Sequence, residues 1–286
     1  SPVSVGSIGQ QYNVTPVALD SGVYLIFNTT NPILKDKTVR KALQLGTDTA
    51  TLRSQVGSGL LPLDLPVLPS QLVGVDVPKA PSVDITKANA MLEEAGWKLK
   101  GGVRTKDGQQ LTITLTTSKR TEYDKVAQIV KDQWQKLGIS VQIHAIDSTS
   151  ASSVFVQDVL QGRNFDVLLY QLALGADPDV YAYWHSSQIG QTGYNFASYS
   201  SSVADANLAT ARTRLDPVLR SAKYKTFAER WLEDAPAIAL YQSVVEYVTN
   251  KNVEAVDPAA QLPTESDRYT NVLYWTVAGK TVYKTP

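Results

Sequence analysis

The residues best equipped for chemistry fall in one short passage. Phe165-Asp166-Val167-Leu168-Leu169-Tyr170-Gln171 leads to Gly175-Ala176-Asp177-Pro178-Asp179, and Tyr181, Tyr183, Trp184 and His185 follow at once. Asp177 and Asp179 are two carboxylates flanking a proline. Such a pair can hold an ammonium group, divide general acid and base roles, or cap the next helix with Pro178 in its first turn. The run 165–171 has the composition of a strand buried on both faces. In an open α/β sheet, ligands gather beyond the carboxyl ends of such strands, which puts Asp177 at a pocket mouth with aromatics beside it. Capping preferences by themselves weigh toward the cap.

Other catalytic patterns are absent from the sequence. It has no Gly-x-Ser-x-Gly elbow, no Walker loop and no Gly-x-Gly-x-x-Gly after a strand, and Gly57-Ser58-Gly59 is too short to cradle phosphate. There is no cysteine, which removes disulfides, thiolate metal sites and thiol nucleophiles together. His144 and His185 lie far apart with no second ligand at metal spacing, so no metal or cofactor is expected. Glu93-Glu94 reads as the wet face of a helix.

These groups need a frame. Val23 to Asn28 reads as a buried strand and residues 36–45 as a helix with Arg40 and Lys41 on its wet side. Residues 56–83, with five prolines, read as a long surface connection. Asp84 caps a helix that ends at Gly96. Asp107-Gly108 turns a hairpin into the alternating strand Leu111, Ile113, Leu115. Residues 121–137 form the clearest helix, and Ile139, Val141 and Ile143 the strand after it, making a β-α-β unit. A helix near 150–161 leads to the strand at 165–171. Asp216-Pro217 opens a helix that Asp234-Ala-Pro236 stops. Strands are expected at 238–241, 244–248 and 271–275.

The chain has 286 residues, 43% of them hydrophobic, with 27 acidic and 27 basic side chains. That is enough for a sizeable core and excludes global disorder. A neutral chain without a basic block argues against nucleic acid or an anionic membrane as partner. No apolar run approaches the roughly 20 residues that span a bilayer. The chain opens at Ser1 rather than Met, as a processed or trimmed product does.

The order of several pieces resembles the extracytoplasmic solute-binding proteins of ABC importers, in the peptide/nickel/opine-binding class. The pieces are Tyr24-Leu-Ile-Phe-Asn28, Val39-Arg40-Lys-Ala-Leu43, Ala90-Met-Leu-Glu-Glu-Ala-Gly96-Trp97, Trp134-Gln-Lys-Leu-Gly138, Phe165-Asp166-Val167, Ala176-Asp177-Pro178-Asp179 and Asp234-Ala-Pro-Ala-Ile238. The resemblance implies an α/β, periplasmic-binding-protein-like lobe: a mixed sheet flanked by helices, with hinge segments and a C-terminal return towards a missing first lobe. Residues 1–22 would be hinge or first-lobe remnant, 23–241 the second ligand-binding lobe, and 242–286 the return. It implies an extracytoplasmic, lipoprotein-type monomer that closes on a solute, an oligopeptide or similar ligand, and delivers it to ABC permease subunits. Membrane association would run only through a missing anchor. It further implies that Asp177 pairs with the ligand's amino group. An arginine that holds the carboxylate in dipeptide binders falls on Thr117 here, with Arg120 nearby but out of register. Tyr170, Gln171, Tyr181, Trp184 and Asn195 complete the expected wall, because aromatics with single polar groups line such clefts. The alternatives are a hydrolase using Asp177 and Asp179, or a stand-alone protein-interaction domain.

Overall fold

The computed structural model describes residues 12–57, 59–150, 152–255, 257 and 259–277. In chain order, β1 (Tyr12–Phe27) leads to α1 (Lys37–Leu45), α2 (Thr49–Val56) and α3 (Ile85–Glu94). A small three-stranded sheet follows, of β2 (Lys98–Lys100), β3 (Val103–Lys106) and β4 (Gln109–Gln110). Then come β5 (Thr112–Ser118), α4 (Thr121–Gln135), β6 (Ser140–Ile146), β7 (Val167–Ala173), α5 (Tyr181–Trp184), α6 (Ser202–Arg212) and α7 (Pro217–Asp234). The chain continues as β8 (Ala237–Asn250), β9 (Val253–Glu254), β10 (Gln261–Leu262) and β11 (Thr276–Val277).

The main sheet runs β8-β1-β7-β5-β6. β5 pairs parallel with β6 and with β7, while β1 pairs antiparallel with β7 and β8. Helices cover both faces, so successive residues of one strand enter different cores. Val23, Leu25 and Phe27 join Val167, Leu169 and Trp134 on the side of α1 to α4. Tyr24 and Ile26 join Leu168, Phe227 and Trp231 on the side of α5 to α7. This is why 23–27 and 167–169 are apolar without alternation.

Local chemistry sets several boundaries as expected. Asp84 accepts from Lys87 N at 2.8 Å, and Asp216 from both Val218 N and Leu219 N at 2.9 Å. Asp107 and Gly108 take φ of 51° and 79°, the left-handed pair of a type I′ turn. Asp166 explains its place in the Phe-Asp-Val motif. β7 meets β5 only from Val167 onward, and the Asp166 carboxylate extends the ladder by accepting from Thr114 N at 2.7 Å and Asn31 Nδ2 at 2.6 Å.

Elsewhere the structure corrects the sequence reading. β1 begins at Tyr12, not Val23, because residues 12–18 pair with 244–250; the two strands expected at 238–241 and 244–248 are one, β8. α2 was not expected: it buries only Leu52 and Val56, too few for a legible period. Residues 155–161 wind as a π-helix rather than an α-helix from 150, and 271–275 belongs to a 3₁₀ turn, Glu265–Tyr274. The proline-rich connection is not merely laid on the surface, since Leu63, Leu65, Val67 and Leu68 are fully buried. Arg40 is buried, donating to Leu34, Lys35, Asp234 and Ala235 carbonyls, where Ala235 ends α7 with φ 47°. Glu93 bonds Arg104 at 2.6 Å; Arg104 is buried and also donates to Trp97 O, Leu137 O and Asn89 Oδ1.

Candidate functional site

Parallel pairing forces β5 and β7 to end on the same edge of the sheet, at Ser118 and Ala173. β6 ends there too, with Ile146 opposite Ser118. β1 runs the other way and β8 runs with the parallel strands, and both continue past this edge, so the carboxyl ends of β5, β6 and β7 face the base of a two-stranded ribbon. The edge is held tightly to that base. Asp20 O accepts from Leu174 N at 2.8 Å and Gly175 N at 3.0 Å. Gln171 Nε2 donates to Ser21 Oγ at 2.9 Å, and Gln242 Nε2 to Leu19 O at 2.9 Å.

Arg120 stands at this edge, between β5 and α4, in the N-cap position without capping. Its guanidinium lies 5.3 Å from the Tyr123 ring centroid. Burial raises the Tyr123 hydroxyl well above its ordinary pKa, with the Arg120 charge acting against the rise. Tyr170 is half-buried and packs on Phe155 and, edge to face at 5.7 Å, on Phe196. Its hydroxyl is likewise raised by burial, opposed by Arg120 and reinforced by Tyr194. Tyr183 donates to Ala173 O at 2.7 Å, closing the end of β7; burial raises it, and Tyr170 and Tyr194 add to the shift. Tyr194 is 58% exposed. The edge therefore presents Arg120 beside three phenols, Tyr170, Tyr183 and Tyr194, with Tyr123 buried beneath the guanidinium: groups that stack on side chains, donate hydrogen bonds and attract an anionic end.

Other expected site residues are placed differently. Trp184 is 1% exposed, inside a cluster with Tyr24 and Trp231, so it is core rather than wall. Asn195 is also fully buried; it donates to His185 O and Tyr199 O and accepts from Tyr199 N, which staples its own loop. Tyr181 stacks on His185 at 4.0 Å with Arg212 over its ring at 4.5 Å. His144 is exposed on the outer strand β6. Among the described residues no group of three His, Cys, Asp or Glu is placed to hold a metal ion.

Asp177 does not wait as a free carboxylate. Its two oxygens accept from Arg220 Nη1 and Nη2, both at 2.6 Å, and one also accepts from Asp179 N at 2.9 Å. The Arg220 guanidinium holds Asp177 below the usual carboxylate range. Asp179 accepts from Tyr181 N at 3.2 Å and pairs with Arg212 at 2.9 Å. Each acid thus shares a helix-entry role with an arginine of its own, which leaves neither as an evident general base. Tyr194 is the edge residue that sequence reasoning passed over, and Tyr183 was named beside the loop but not in the expected wall. Which aromatics turn outward was set by packing.

The family model of the bacterial extracellular solute-binding proteins, family 5, matches residues 7–193. The oligopeptide-binding protein AppA of Bacillus subtilis (strain 168) is 32% identical over 249 residues, covering 84% of this chain and 45% of AppA. The structure of AppA from Bacillus subtilis in complex with a nonapeptide superposes with a TM-score of 0.79 at 28% identity, covering 94% of this chain and 53% of that one. NikZ from Campylobacter jejuni, in complex with Ni(L-His), shares the fold with a TM-score of 0.80 at 21% identity, covering 96% and 55%. The chain spans about half the length of these relatives. The mixed sheet with helices on both faces, the Phe-Asp-Val strand and the family match agree: the chain belongs to the bacterial extracellular solute-binding proteins, family 5.

Proposed function

We propose that this chain supplies one ligand-binding lobe of an extracytoplasmic solute-binding protein that captures oligopeptides for an ABC importer. The observation that carries the reading is the shared edge of β5 and β7, where Arg120, Tyr170, Tyr183 and Tyr194 lie together next to the β1–β8 ribbon. A peptide lies along this edge with side chains against the phenols and an acidic group or carboxylate towards Arg120. Gln171 supplies a polar contact from the neighbouring position on β7. The ribbon, residues 12–22 with 242–250, serves as hinge, and closure over the ligand involves no covalent chemistry. Relatives that are oligopeptide-binding proteins, AppA among them, support the ligand class. The docking partner in this reading is the ABC permease, outside the membrane.

The test is thermal unfolding of the complete protein with a pool of di- to nonapeptides, since a ligand that binds only the folded state raises the midpoint by mass action. A peptide-dependent rise that Tyr170→Ala and Arg120→Met both reduce supports the edge as the site. A rise only with sugars or other uncharged solutes keeps a binding protein and removes the peptide. No rise with any solute returns weight to an interaction domain.

A further inference from the structure

The passage after β7 joins that strand to α5, which carries Tyr183 of the rim, yet it is not regular structure. Leu174 N and Gly175 N are held by Asp20 O of β1, and beyond them the passage has one internal backbone bond, Val180 N to Pro178 O, an i to i−2 contact. What fixes the rest is largely ionic. Asp177 reaches Arg220 in the first turn of α7 with two bonds of 2.6 Å. Asp179 reaches Arg212 in the last turn of α6 at 2.9 Å. Gln71 Nε2 adds a bond to Gly175 O at 2.7 Å. Arg220 is itself aligned, with Nη2 also 3.3 Å from the Tyr224 hydroxyl and the guanidinium 5.4 Å from that ring. Arg212 in turn lies over Tyr181, the first residue of α5.

From this geometry we infer that Arg220 and Arg212 are positioning residues for ligand binding: they clamp the two acids of the Asp177-Pro178-Asp179 loop onto the α6–α7 hairpin, and so hold the rim of the site. The inference rests on the reading that the carboxyl-end edge binds the ligand, and it goes further by assigning Asp177 a resident partner inside the chain. Bidentate guanidinium–carboxylate pairing is directional, so it fixes orientation as well as distance. The Asp177–Arg220 pair is of this kind, and the single contact of Arg212 Nε with Asp179 Oδ2 tethers the loop to the second helix. Tyr183, whose hydroxyl closes on Ala173 O, stands at the far end of that loop and depends on the placement.

The experiment compares Asp177→Asn, Arg220→Met, Arg212→Met and the charge swap Asp177→Arg with Arg220→Asp, in the complete protein. Backbone hydrogen exchange over 174–180 is measured without peptide, and the affinity for a random nonapeptide pool is measured separately. The expected result is faster exchange of the loop in all three single variants. Asp177→Asn and Arg220→Met should weaken peptide binding by a similar factor, about three- to tenfold for a partly exposed pair, with both readouts partly restored by the swap. Loss of affinity in Asp177→Asn with unchanged or tighter binding in Arg220→Met overturns the inference, because the carboxylate would then meet the ligand itself. Unchanged exchange in the single variants overturns it as well. If the wild type captures no peptide, the peptide reading fails while the exchange arm still decides the clamp.

Discussion

β1 passes through two regions that treat the same residue types differently. Between Val23 and Phe27 every side chain is buried, odd positions in one core and even positions in the other. Between Tyr12 and Val14 the strand is still paired, to β8 on one edge, yet Tyr12 and Val14 are 38% and 37% exposed, and Val248 opposite is 44% exposed. Hydrogen-bonded pairing is therefore common to both, and what separates them is cover. The lobe has helices on each face; the ribbon has a small cluster of Val17, Leu19, Tyr247 and Leu262. The change falls where the register shifts between Ala18 and Gly22, and where β1 exchanges β10 for β7 as its neighbour. A Cβ at Gly22 would collide with Leu63 and with the Tyr24 ring, so this junction admits no larger residue without movement.

Substitutions can break that contrast in a graded way. Trp134→Ala should cost most, about 3–5 kcal/mol as for other buried large-to-small changes, because Trp134 is fully buried and its Nε1 donates to Thr47 Oγ1 at 2.9 Å. Chemical denaturation checks it, and a loss like that of a surface change would show that the lobe core relaxes freely. Arg104→Met comes next, at about 2–4 kcal/mol, since it strips donors from Trp97 O, Leu137 O and Asn89 and leaves Glu93 to Lys98 alone. Gly22→Val should cost about 1–3 kcal/mol through overpacking at the junction; a neutral result would mean the ribbon moves independently of the lobe. Val14→Thr and Val248→Thr on the ribbon should each stay within about 0.5 kcal/mol.

A pH titration sharpens the comparison further. Asp234, at the end of α7, meets burial that would raise its pKa, but Arg230 at 2.6 Å, Tyr199 at 2.8 Å and Lys37 at 3.3 Å outweigh it and hold the carboxyl low. A depressed folded-state value means the contribution is complete above the unfolded value of about 4 and is lost as pH falls through the folded one. The melting temperature of the lobe should fall below about pH 4, and Asp234→Asn should flatten that part of the curve. Protection of the amides at 12–15, on the ribbon, relative to their intrinsic exchange rates should change little over the same range.

Much of the fold was legible because it rests on local rules. Strands buried on both faces announce themselves as unbroken apolar runs, as at 23–27 and 167–169. Asp84, Asp216, Gly96 and Asp107-Gly108 mark helix and turn boundaries by chemistry that acts within four residues. α2 was not legible, as two buried positions in eight make no pattern. Arg40 and Arg104 were not legible either, since a charged side chain reads as wet until the carbonyls that meet it are in place.

The site divides in the same manner. Sequence pointed to the end of β7 and its Asp-Pro-Asp loop, with Tyr170, Gln171 and Arg120 near it, the passage on which the proposed site is built. It could not say that Trp184 and Asn195 turn inward, nor that Tyr183 and Tyr194 share the edge with Arg120. Above all it could not show that Asp177 is held by Arg220, which lies 43 residues further along the chain. By itself the sequence determined the family, the parallel β5-α4-β6 unit and most helix starts, because hydrophobic period and capping are short-range. Only the tertiary structure decided which charges are free to meet a ligand, because a carboxylate's availability depends on partners that folding brings from distant positions.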